Sequence, residues 1–144
     1  MTDKNIGLRF DRSPTTPVAV PATIDLPTSS NATATAYLRG RGISDKVIEA
    51  HTIQGEYRFS GRTAPAVGFP YRDDGKVTSI KWRSADDTKA FSQQNVCQDF
   101  WGLDQYQEGN DLLLVEGEID ALSWLSCDLP ENLTVLSIPN GAPA

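Results

Sequence analysis

Three carboxylates lie close together near the C-terminal end of the chain, at Glu116, Glu118 and Asp120. They follow a short apolar run, and carboxylate oxygens are the ligands that a hard cation such as Mg²⁺ prefers. Gly117 between them would let the backbone turn sharply and let a phosphate approach closely. Acidic side chains in a first helical turn also complement the helix dipole. The spacing alone therefore leaves two interpretations open, a metal-binding corner and an ordinary helix start.

Two groups of basic residues form the second feature that could do chemistry. They are Arg39, Arg41 and Lys46, and Lys81, Arg83 and Lys89. Cationic side chains hold the transferred group in phosphoryl-transfer sites. The formal net charge of −6 argues against a protein that coats nucleic acid with its whole surface, because such binding depends on phosphate neutralisation. We expect any nucleic-acid contact to be local, and a solvated face is the alternative interpretation of each group.

The elements that must position the carboxylates are a strand, a turn, a helix and a second strand. Residues 112–115 are a short continuous apolar run, which is typical of a buried parallel strand. We expect a helix over residues 119–126 and a second strand over residues 133–138, which completes one βαβ unit. The loop that follows, residues 139–142, contains Asn140. Open α/β sheets place their ligand sites at such carboxyl ends of strands.

The second basic group falls within residues 52–91, a region rich in Tyr, Phe, Val, Ile and Thr that predicts an antiparallel sheet. Its clearest hairpin joins residues 66–71 to residues 76–83 through a turn ending at Gly75, which can take a positive φ. Alternation along the second strand predicts two faces. One carries Val77, Ser79, Lys81 and Arg83, and the other carries Thr78, Ile80 and Trp82. The second face is more apolar, so we expect it to face the core.

The chain upstream of the sheet divides into a leader and a helical segment. Residues 1–33 contain several prolines among Ser, Thr and Ala without a helical or alternating period, which predicts a flexible leader or linker. Two short helices should follow, the second capped by Ser44 and ending near His51. We expect these helices and the sheet to form a subdomain over residues 34–108. The βαβ unit would begin a further domain over residues 109–144.

Length and composition limit the class of protein. With 144 residues and 39% hydrophobic content, the chain can bury one ordinary core. No stretch approaches the roughly 18 uninterrupted apolar residues of a membrane helix, and the N-terminus lacks the layout of a secretion signal. We therefore expect a soluble protein inside the cell. The only cysteines, Cys97 and Cys127, lie far apart without a partnering His, so neither a disulfide framework nor a zinc site is indicated.

The string of residues around the carboxylates is more specific than the acidic spacing. Residues 112–123, Leu-Leu-Leu-Val-Glu-Gly-Glu-Ile-Asp-Ala-Leu-Ser, followed by residues 135–142, closely resemble the opening of the TOPRIM domain in phage primase-helicases and the mitochondrial helicase Twinkle. They are similar, more distantly, to bacterial primases and topoisomerases. Residues 37–44 resemble the helix pair of that family, and residues 68–71 with residues 77–83 resemble the sheet that precedes its TOPRIM core. The resemblance covers roughly the whole chain beyond the leader.

This resemblance implies a mixed α+β and α/β fold, in which a small helical pair and an antiparallel sheet precede the first βαβ unit of a truncated, Rossmann-like TOPRIM domain. It also implies roles for individual residues. Glu116 matches the glutamate that serves as metal ligand or general base at the attacking 3′ hydroxyl. Glu118 and Asp120 match the family's following acidic positions and are further candidate metal ligands, although Asp120 is expected to position the loop more than to bind the metal directly. Lys81 and Lys89 match basic residues that hold nucleotide or primer, assisted by Arg83, while Asn140 is a further candidate nucleotide or DNA contact.

The implied function is the DNA primase part of a replicative primase-helicase. It would make short RNA primers on single-stranded DNA from nucleoside triphosphates with Mg²⁺, beside a linked or separate hexameric helicase, in the cytoplasm of a bacterial or phage-infected cell. A complete TOPRIM fold continues with a strand that carries an Asp-x-Asp pair. We therefore expect weak Mg²⁺ binding, no primer synthesis by this chain alone, and an exposed sheet edge at residues 133–138 that favours self-association.

Two other functions remain open at this point. The first is a non-catalytic domain of a replicative helicase that binds single-stranded DNA or docks a partner, and the second is a TOPRIM nuclease or topoisomerase-like protein. Retention of Glu116 favours the enzyme over the first alternative. The helix pair and sheet upstream of the TOPRIM-like segment favour a primase over the second alternative.

Overall fold

Three helices and two sheets make up this computed structural model, which describes residues 23–27 and 30–139. The helices are α1 (Ala32–Gly40), α2 (Asp45–His51) and α3 (Glu118–Leu125), with a 3₁₀ turn at Leu103–Gln105. The strands are β1 (Ile53–Phe59), β2 (Arg62–Asp73), β3 (Lys76–Ser84), β4 (Phe91–Gln94), β5 (Asp111–Val115) and β6 (Leu133–Ser137). The predicted class is confirmed, because a helical pair and an antiparallel sheet precede one βαβ unit.

Side-chain caps set the starts of the first two helices. The Oδ1 atom of Asn31 accepts a hydrogen bond from the Ala34 amide at 3.0 Å, so α1 begins two residues earlier than the predicted boundary. The Oγ atom of Ser44 accepts from the Val47 amide at 3.4 Å, as predicted for α2, which ends at His51. The two helices therefore meet at a short turn.

The antiparallel sheet has the strand order β1-β2-β3-β4, and it is buried on both faces. On one face, the β2 side chains Val67, Phe69 and Tyr71 pack in a cluster with residues of all three helices. On the other face, Ile80 and Trp82 of β3 pack with residues of β1 and β2. The prediction that Ile80 and Trp82 face a core is therefore confirmed, but the helices cover the opposite face as well.

A β-bulge corrects the predicted faces of β3. Tyr71 pairs with Ser79, but the next residue, Arg72, pairs with Val77, so the register skips Thr78. An extra residue in one strand reverses the alternation beyond it. Val77 consequently lies in the cluster of Ile80 and Trp82, and not on the face of Lys81 as predicted.

The described part of the leader contacts the sheet at Ile24. The backbone amide of Ile24 donates a hydrogen bond to the Val77 carbonyl at 2.8 Å, and the Ile24 side chain packs against the sheet. The predicted leader thus touches the sheet at Ile24. Residues 1–22 and 28–29 lie outside the described residues. No helix in the described part of the chain is long and apolar enough to cross a membrane.

The βαβ unit is built around β6, which corrects the predicted burial of residues 112–115. The parallel pair β5 and β6 has β6 as its buried member, whereas Leu114 of β5 is 55% exposed. Trp101 covers the other side of β6 by exchanging two backbone hydrogen bonds with Ser137, at 3.0 and 3.1 Å. Within the described residues, β5 has no strand on its outer side, and the predicted exposed edge of residues 133–138 is bridged at Ser137 alone.

Gly102 allows the segment after Trp101 to approach β6. Its φ of +90° is open mainly to glycine, and a Cβ at this position would stand 2.6 Å from the Val135 carbonyl oxygen. Trp101 itself is buried and packs edge-on against His51, with 5.9 Å between the ring centroids. Trp101 is therefore a core residue. It also ties α2 to the βαβ unit.

Candidate active site

A cleft of about 630 Å³ lies between α1, the cationic face of β3 and β4, and the start of α3. The chain brings basic and acidic side chains to opposite walls of this cleft. The basic residues are Arg41, Lys81, Arg83 and Lys89, and the acidic residues are Glu116, Glu118 and Asp120. Phe69, Tyr37 and Phe91 supply apolar surface between them. The candidates thus come together from segments that are far apart in sequence.

Arg83 is held between two aromatic rings at the basic wall. Its guanidinium carbon lies 4.6 Å from the centroid of Tyr37 on α1 and 5.7 Å from the centroid of Phe91 on β4. Lys81 Nζ lies 5.7 Å from the same Phe91 centroid. Cations within about 6 Å of a ring face are attracted by the ring quadrupole. These contacts fix the direction of both cations without neutralising their charge.

The loop between β3 and β4 positions Lys89 at the rim of the cleft. Arg62 donates from Nη1 to Asp86 Oδ2 at 2.7 Å and from Nη2 to the Thr88 hydroxyl. The hydrogen bond from Arg62, followed by that from Thr88, lowers the pKa of the Asp86 carboxyl. Lys89 follows with a φ of +52° and an exposed side chain. The loop is therefore ordered by its own polar contacts while Lys89 faces solvent.

The acidic wall begins where β5 ends. Glu116 follows the last residue of β5, Gly117 caps α3, and Glu118 and Asp120 lie in the first helical turn. Glu116 and Asp120 are exposed, whereas Glu118 is only 5% exposed. Carboxylates at this end of a helix are stabilised by its dipole. The three acidic candidates consequently have two different environments.

Glu118 is the acceptor of two side-chain hydrogen bonds from the sheet. The Tyr71 hydroxyl donates to Oε1 at 2.7 Å, and Lys81 Nζ donates to Oε2 at 3.2 Å and lies 3.1 Å from Oε1. Burial, followed by the charge of Glu118 and this hydrogen bond, raises the pKa of Tyr71 well above its usual range. Glu118 therefore links α3 to β2 and β3. A cation could reach its oxygens only if Lys81 moved away.

The donor set suits a loosely held Mg²⁺ better than an enclosed metal centre. Within residues 23–27 and 30–139, no three His, Cys, Asp or Glu side chains are grouped so that they could hold a metal ion. Glu116 and Asp120 remain as two exposed carboxylates that line the same cleft. Mg²⁺ is commonly bound by one or two carboxylates, with waters and substrate phosphates completing its shell. These two residues fit that pattern.

Six of the seven predicted site residues line the cleft, and the seventh, Asn140, lies outside the described residues. Of the first basic group only Arg41 lines the cleft, since Arg39 pairs with Asp45 at 2.7 Å on the surface. Sequence reasoning missed the roles of Tyr71 and Phe91. The pairing of Phe91 with Arg83 was the available signal, but it depends on the β3–β4 register.

Comparison with known proteins gives two curated relatives from Arabidopsis thaliana, while no family model matches the chain. The chain is 32% identical over 109 residues to the Twinkle homolog protein, chloroplastic/mitochondrial, an alignment that covers 75% of this chain and 14% of the relative. It is 31% identical over 108 residues to the Primase homolog protein, covering 74% of this chain and 30% of the relative. The chain thus spans only a minor part of each relative.

Two solved structures share the fold. The primase fragment of the bacteriophage T7 primase-helicase protein has a TM-score of 0.59 at 24% identity, covering 90% of this chain and 52% of that chain. A second match has a TM-score of 0.55 at 26% identity, covering 72% of this chain and 46% of that chain. It comes from the bacteriophage T7 lagging-strand DNA polymerase interacting with primase domains of two gp4 subunits bound to an RNA/DNA hybrid and dTTP.

Proposed function

Because this chain belongs to the primase part of the Twinkle-like and phage-type primase-helicases, we propose that its cleft is the nucleotide-joining site of a DNA primase. The observation that carries the proposal is the arrangement of four cationic and three acidic side chains on facing walls of one cleft. Phosphoryl transfer requires cations on the transferred group and carboxylates near the attacking oxygen. The cleft supplies both groups. Its cations come from residues 41–89, and its carboxylates come from residues 116–120.

The basic wall is proposed to hold the triphosphate. Lys81, Arg83 and Lys89 present their charges along one rim, and the aromatic contacts of Arg83 keep its guanidinium extended into the cleft. Guanidinium groups bind phosphate oxygens through paired hydrogen bonds, and ammonium groups act as point charges. Lys81 also contacts Glu118, so its position is set before a ligand arrives. The wall would therefore orient the phosphates with little rearrangement.

The acidic wall is proposed to act at the attacking 3′ hydroxyl. Glu116 is exposed at the carboxyl end of β5, where it can accept the proton of that hydroxyl or contribute an oxygen ligand with Asp120. A bound Mg²⁺ would neutralise the reacting phosphate oxygens and lower the pKa of the hydroxyl. Glu118 is proposed to position Lys81 and Tyr71, since both its oxygens face these donors.

The proposed ligands are a nucleoside triphosphate and a single-stranded DNA template with its RNA primer. This follows from the bacteriophage T7 complex, whose primase domains are bound to an RNA/DNA hybrid and dTTP. A linked or separate hexameric helicase is the proposed partner. We place the reaction in the cytoplasm of a bacterial or phage-infected cell, and the chloroplast or mitochondrion given for the Arabidopsis relative is the alternative site.

Binding of single-stranded DNA tests the basic wall. Fluorescence anisotropy at low and moderate salt would compare the wild type with Lys89→Ala and Arg83→Gln. Lys76→Ala is the matched control, because Lys76 is exposed on β3 but lies outside the cleft. Each cleft variant should weaken binding and reduce the salt slope by about one, while the control stays unchanged. Equal losses in all three variants would contradict a local site.

A second candidate function is a binding module without catalysis, and it is favoured by the contacts of Glu118, whose two oxygens already accept hydrogen bonds from Tyr71 and Lys81. Because no primer synthesis is expected from this chain alone, a longer version with a complete TOPRIM domain would be incubated with single-stranded DNA, labelled nucleoside triphosphates and Mg²⁺. Oligoribonucleotides that disappear in Glu116→Gln would establish the primase reaction. DNA binding without product would favour the module, and cleavage of the DNA would favour a TOPRIM nuclease over both.

A further inference from the structure

We propose that Phe91 is a stacking surface for a nucleobase, so that the cleft recognises the base of its ligand as well as the phosphates. This inference rests on the proposed function and adds a ligand-contacting residue to it. Phe91 is 52% exposed, whereas the other residues of β4 and the paired Arg83 are half-buried. Sites that bind single-stranded nucleic acid combine a cationic groove with aromatic side chains on which bases stack, and Phe91 lies beside Lys81 and Arg83 in the cleft. Stacking is its simplest use, because every base has a π face.

The backbone around Phe91 holds the ring in place. Phe91 pairs with Arg83 across the β3–β4 ladder, and directly opposed residues of antiparallel strands project from the same face. The residue before it, Ala90, donates from its amide to the Ser84 hydroxyl at 2.8 Å and accepts from the Ser84 amide at 2.9 Å. The ring therefore stands on a fixed strand beside the cationic face, which limits the ordering that a ligand must induce.

The neighbouring charges define the ligand. Lys81 Nζ and the Arg83 guanidinium each lie 5.7 Å from the Phe91 centroid. A ligand that uses all three residues carries negative charge a few ångströms from a flat apolar group. Nucleotides combine these two features, whether free or within a single strand. Inorganic phosphates lack the flat group, and apolar peptides lack the charge.

Trp82, on the opposite face of the same sheet, is an aromatic residue with a structural role, and it provides a comparison for Phe91. Trp82, next to Arg83, is 4% exposed and stacks on Tyr57 with 4.8 Å between centroids and an interplanar angle of 11°. Within the described residues, the ring contacts of Phe91 are those with Lys81 and Arg83, and its side chain belongs to neither apolar cluster. Its ring therefore contributes little to the core. Replacing it should alter binding and leave folding intact.

Calorimetric titration in the presence of Mg²⁺ would measure the affinity of the full chain for four ligands. ATP is compared with inorganic tripolyphosphate, and an oligothymidylate is compared with an abasic oligomer that has the same number of phosphates. Phe91→Ala should lose about tenfold in affinity for the base-containing ligands and nothing for tripolyphosphate or the abasic oligomer. Phe91→Tyr, which keeps the ring, should retain wild-type affinity. Val96→Ala, an exposed apolar residue outside the cleft, is the control and should bind as the wild type does.

The outcomes separate this inference from the proposed function. If Phe91→Ala loses affinity for ATP alone, Phe91 stacks on the base of the free nucleotide. If the variant loses affinity for the oligothymidylate alone, Phe91 stacks on a base of the DNA strand. If Phe91→Ala binds every ligand as the wild type does, the stacking role is overturned while the phosphate site stands. If the wild type binds none of the four ligands, the proposed function fails first. Circular dichroism spectra of each variant would check that the fold is unchanged.

Discussion

The antiparallel sheet and the βαβ unit contribute to the cleft in opposite ways. The sheet is buried on both faces and carries the cations on β3 and in the β3–β4 loop. The βαβ unit has only two strands in its described part, with Leu114 exposed on β5, and it carries the carboxylates. The cations thus stand on a four-stranded sheet with a core on each face. The acidic half depends on how the βαβ unit rests against the rest of the chain.

This difference shows that the site is a junction. The βαβ unit touches the remainder through few kinds of contact. They include the buried residues of α3 and β6 in the core cluster, the backbone bridge between Trp101 and Ser137, the hydrogen bond from the Ser44 amide to the Ser126 hydroxyl, and the hydrogen bonds of Glu118. The basic and acidic side chains of the cleft stay close to one another only while these contacts hold the βαβ unit against the sheet. Substitutions in the sheet, at the bridge and at the ion pair should therefore have separable effects.

The largest effect is expected from Trp82→Ala, which breaks the sheet itself. Trp82 is 4% exposed and stacked on Tyr57, so its removal leaves a large cavity. The free energy of unfolding should fall by about 3 to 5 kcal/mol. Phe91→Ala, on the cleft face of the neighbouring strand, should change it by less than about 0.5 kcal/mol. Urea unfolding followed by circular dichroism would measure both, and similar losses would contradict the assignment of the two faces.

The next effect is expected from Gly102→Ala, which disturbs the support of β6. The added Cβ would stand 2.6 Å from the Val135 carbonyl oxygen at a φ of +90°, so backbone must shift. A positive φ and an overpacked contact together should cost about 3 kcal/mol. The matched control is Gly75→Ala, which shares a positive φ of +75° but meets nothing within 4 Å.

Gly75→Ala should therefore cost only about 1 to 2 kcal/mol, the price of the backbone conformation alone. Urea unfolding of both variants gives the difference, which isolates the approach of residue 102 to β6. The Gly102 variant should also lose DNA binding at temperatures where the control retains it. Equal destabilisation of the two variants would show that the bridge at Trp101 does not hold β6 in place.

The helix and hairpin signals in the sequence were local, and these predictions succeeded. Ser44 accepts the amide hydrogen bond that starts α2, and Gly75 takes a positive φ in the β2–β3 turn. The predicted βαβ unit also forms, because a short apolar run, a helix and a second strand follow one another without long loops. Residue types and short spacings suffice wherever an element is determined by its own neighbours.

The remaining features depend on register and on single contacts. Nothing in the residue types marks Thr78 as the bulge that moves Val77 to the other face. The link between Lys81 and Glu118 joins residues 37 positions apart and becomes visible only when the sheet packs against α3. The bridge to β6 is made by a single residue, Trp101. A single residue produces no repeating pattern in the sequence from which the bridge could be predicted. The exposure of β5 and the bridge at Ser137 were therefore not predicted.

An intermediate effect is expected at the ion pair that crosses the junction. Lys81→Met leaves the buried Glu118 with Tyr71 as its side-chain donor, and Glu118→Gln leaves the ammonium group without its counter-charge. Because an uncompensated buried charge is costly, each single variant should be destabilised, and the double variant should recover part of the loss. We expect a coupling energy of roughly 2 kcal/mol from urea unfolding. Strict additivity of the two losses would contradict the link.

The smallest effect is expected at His51, where α2 meets Trp101 of the βαβ support. Burial, followed by the charge of Arg72, lowers the pKa of His51, while Asp104 opposes this shift. His51 then binds a proton more readily in the unfolded chain than in the folded one. Its contribution to the free energy of unfolding is therefore fully present above pH 6.5 and is lost as the pH drops below that value. His51→Gln should flatten this part of the profile in urea unfolding between pH 7.5 and about pH 5. Because carboxylates titrate in both proteins, the difference between the two curves isolates His51, and coinciding slopes would mean that the imidazole is equally protonated in both states.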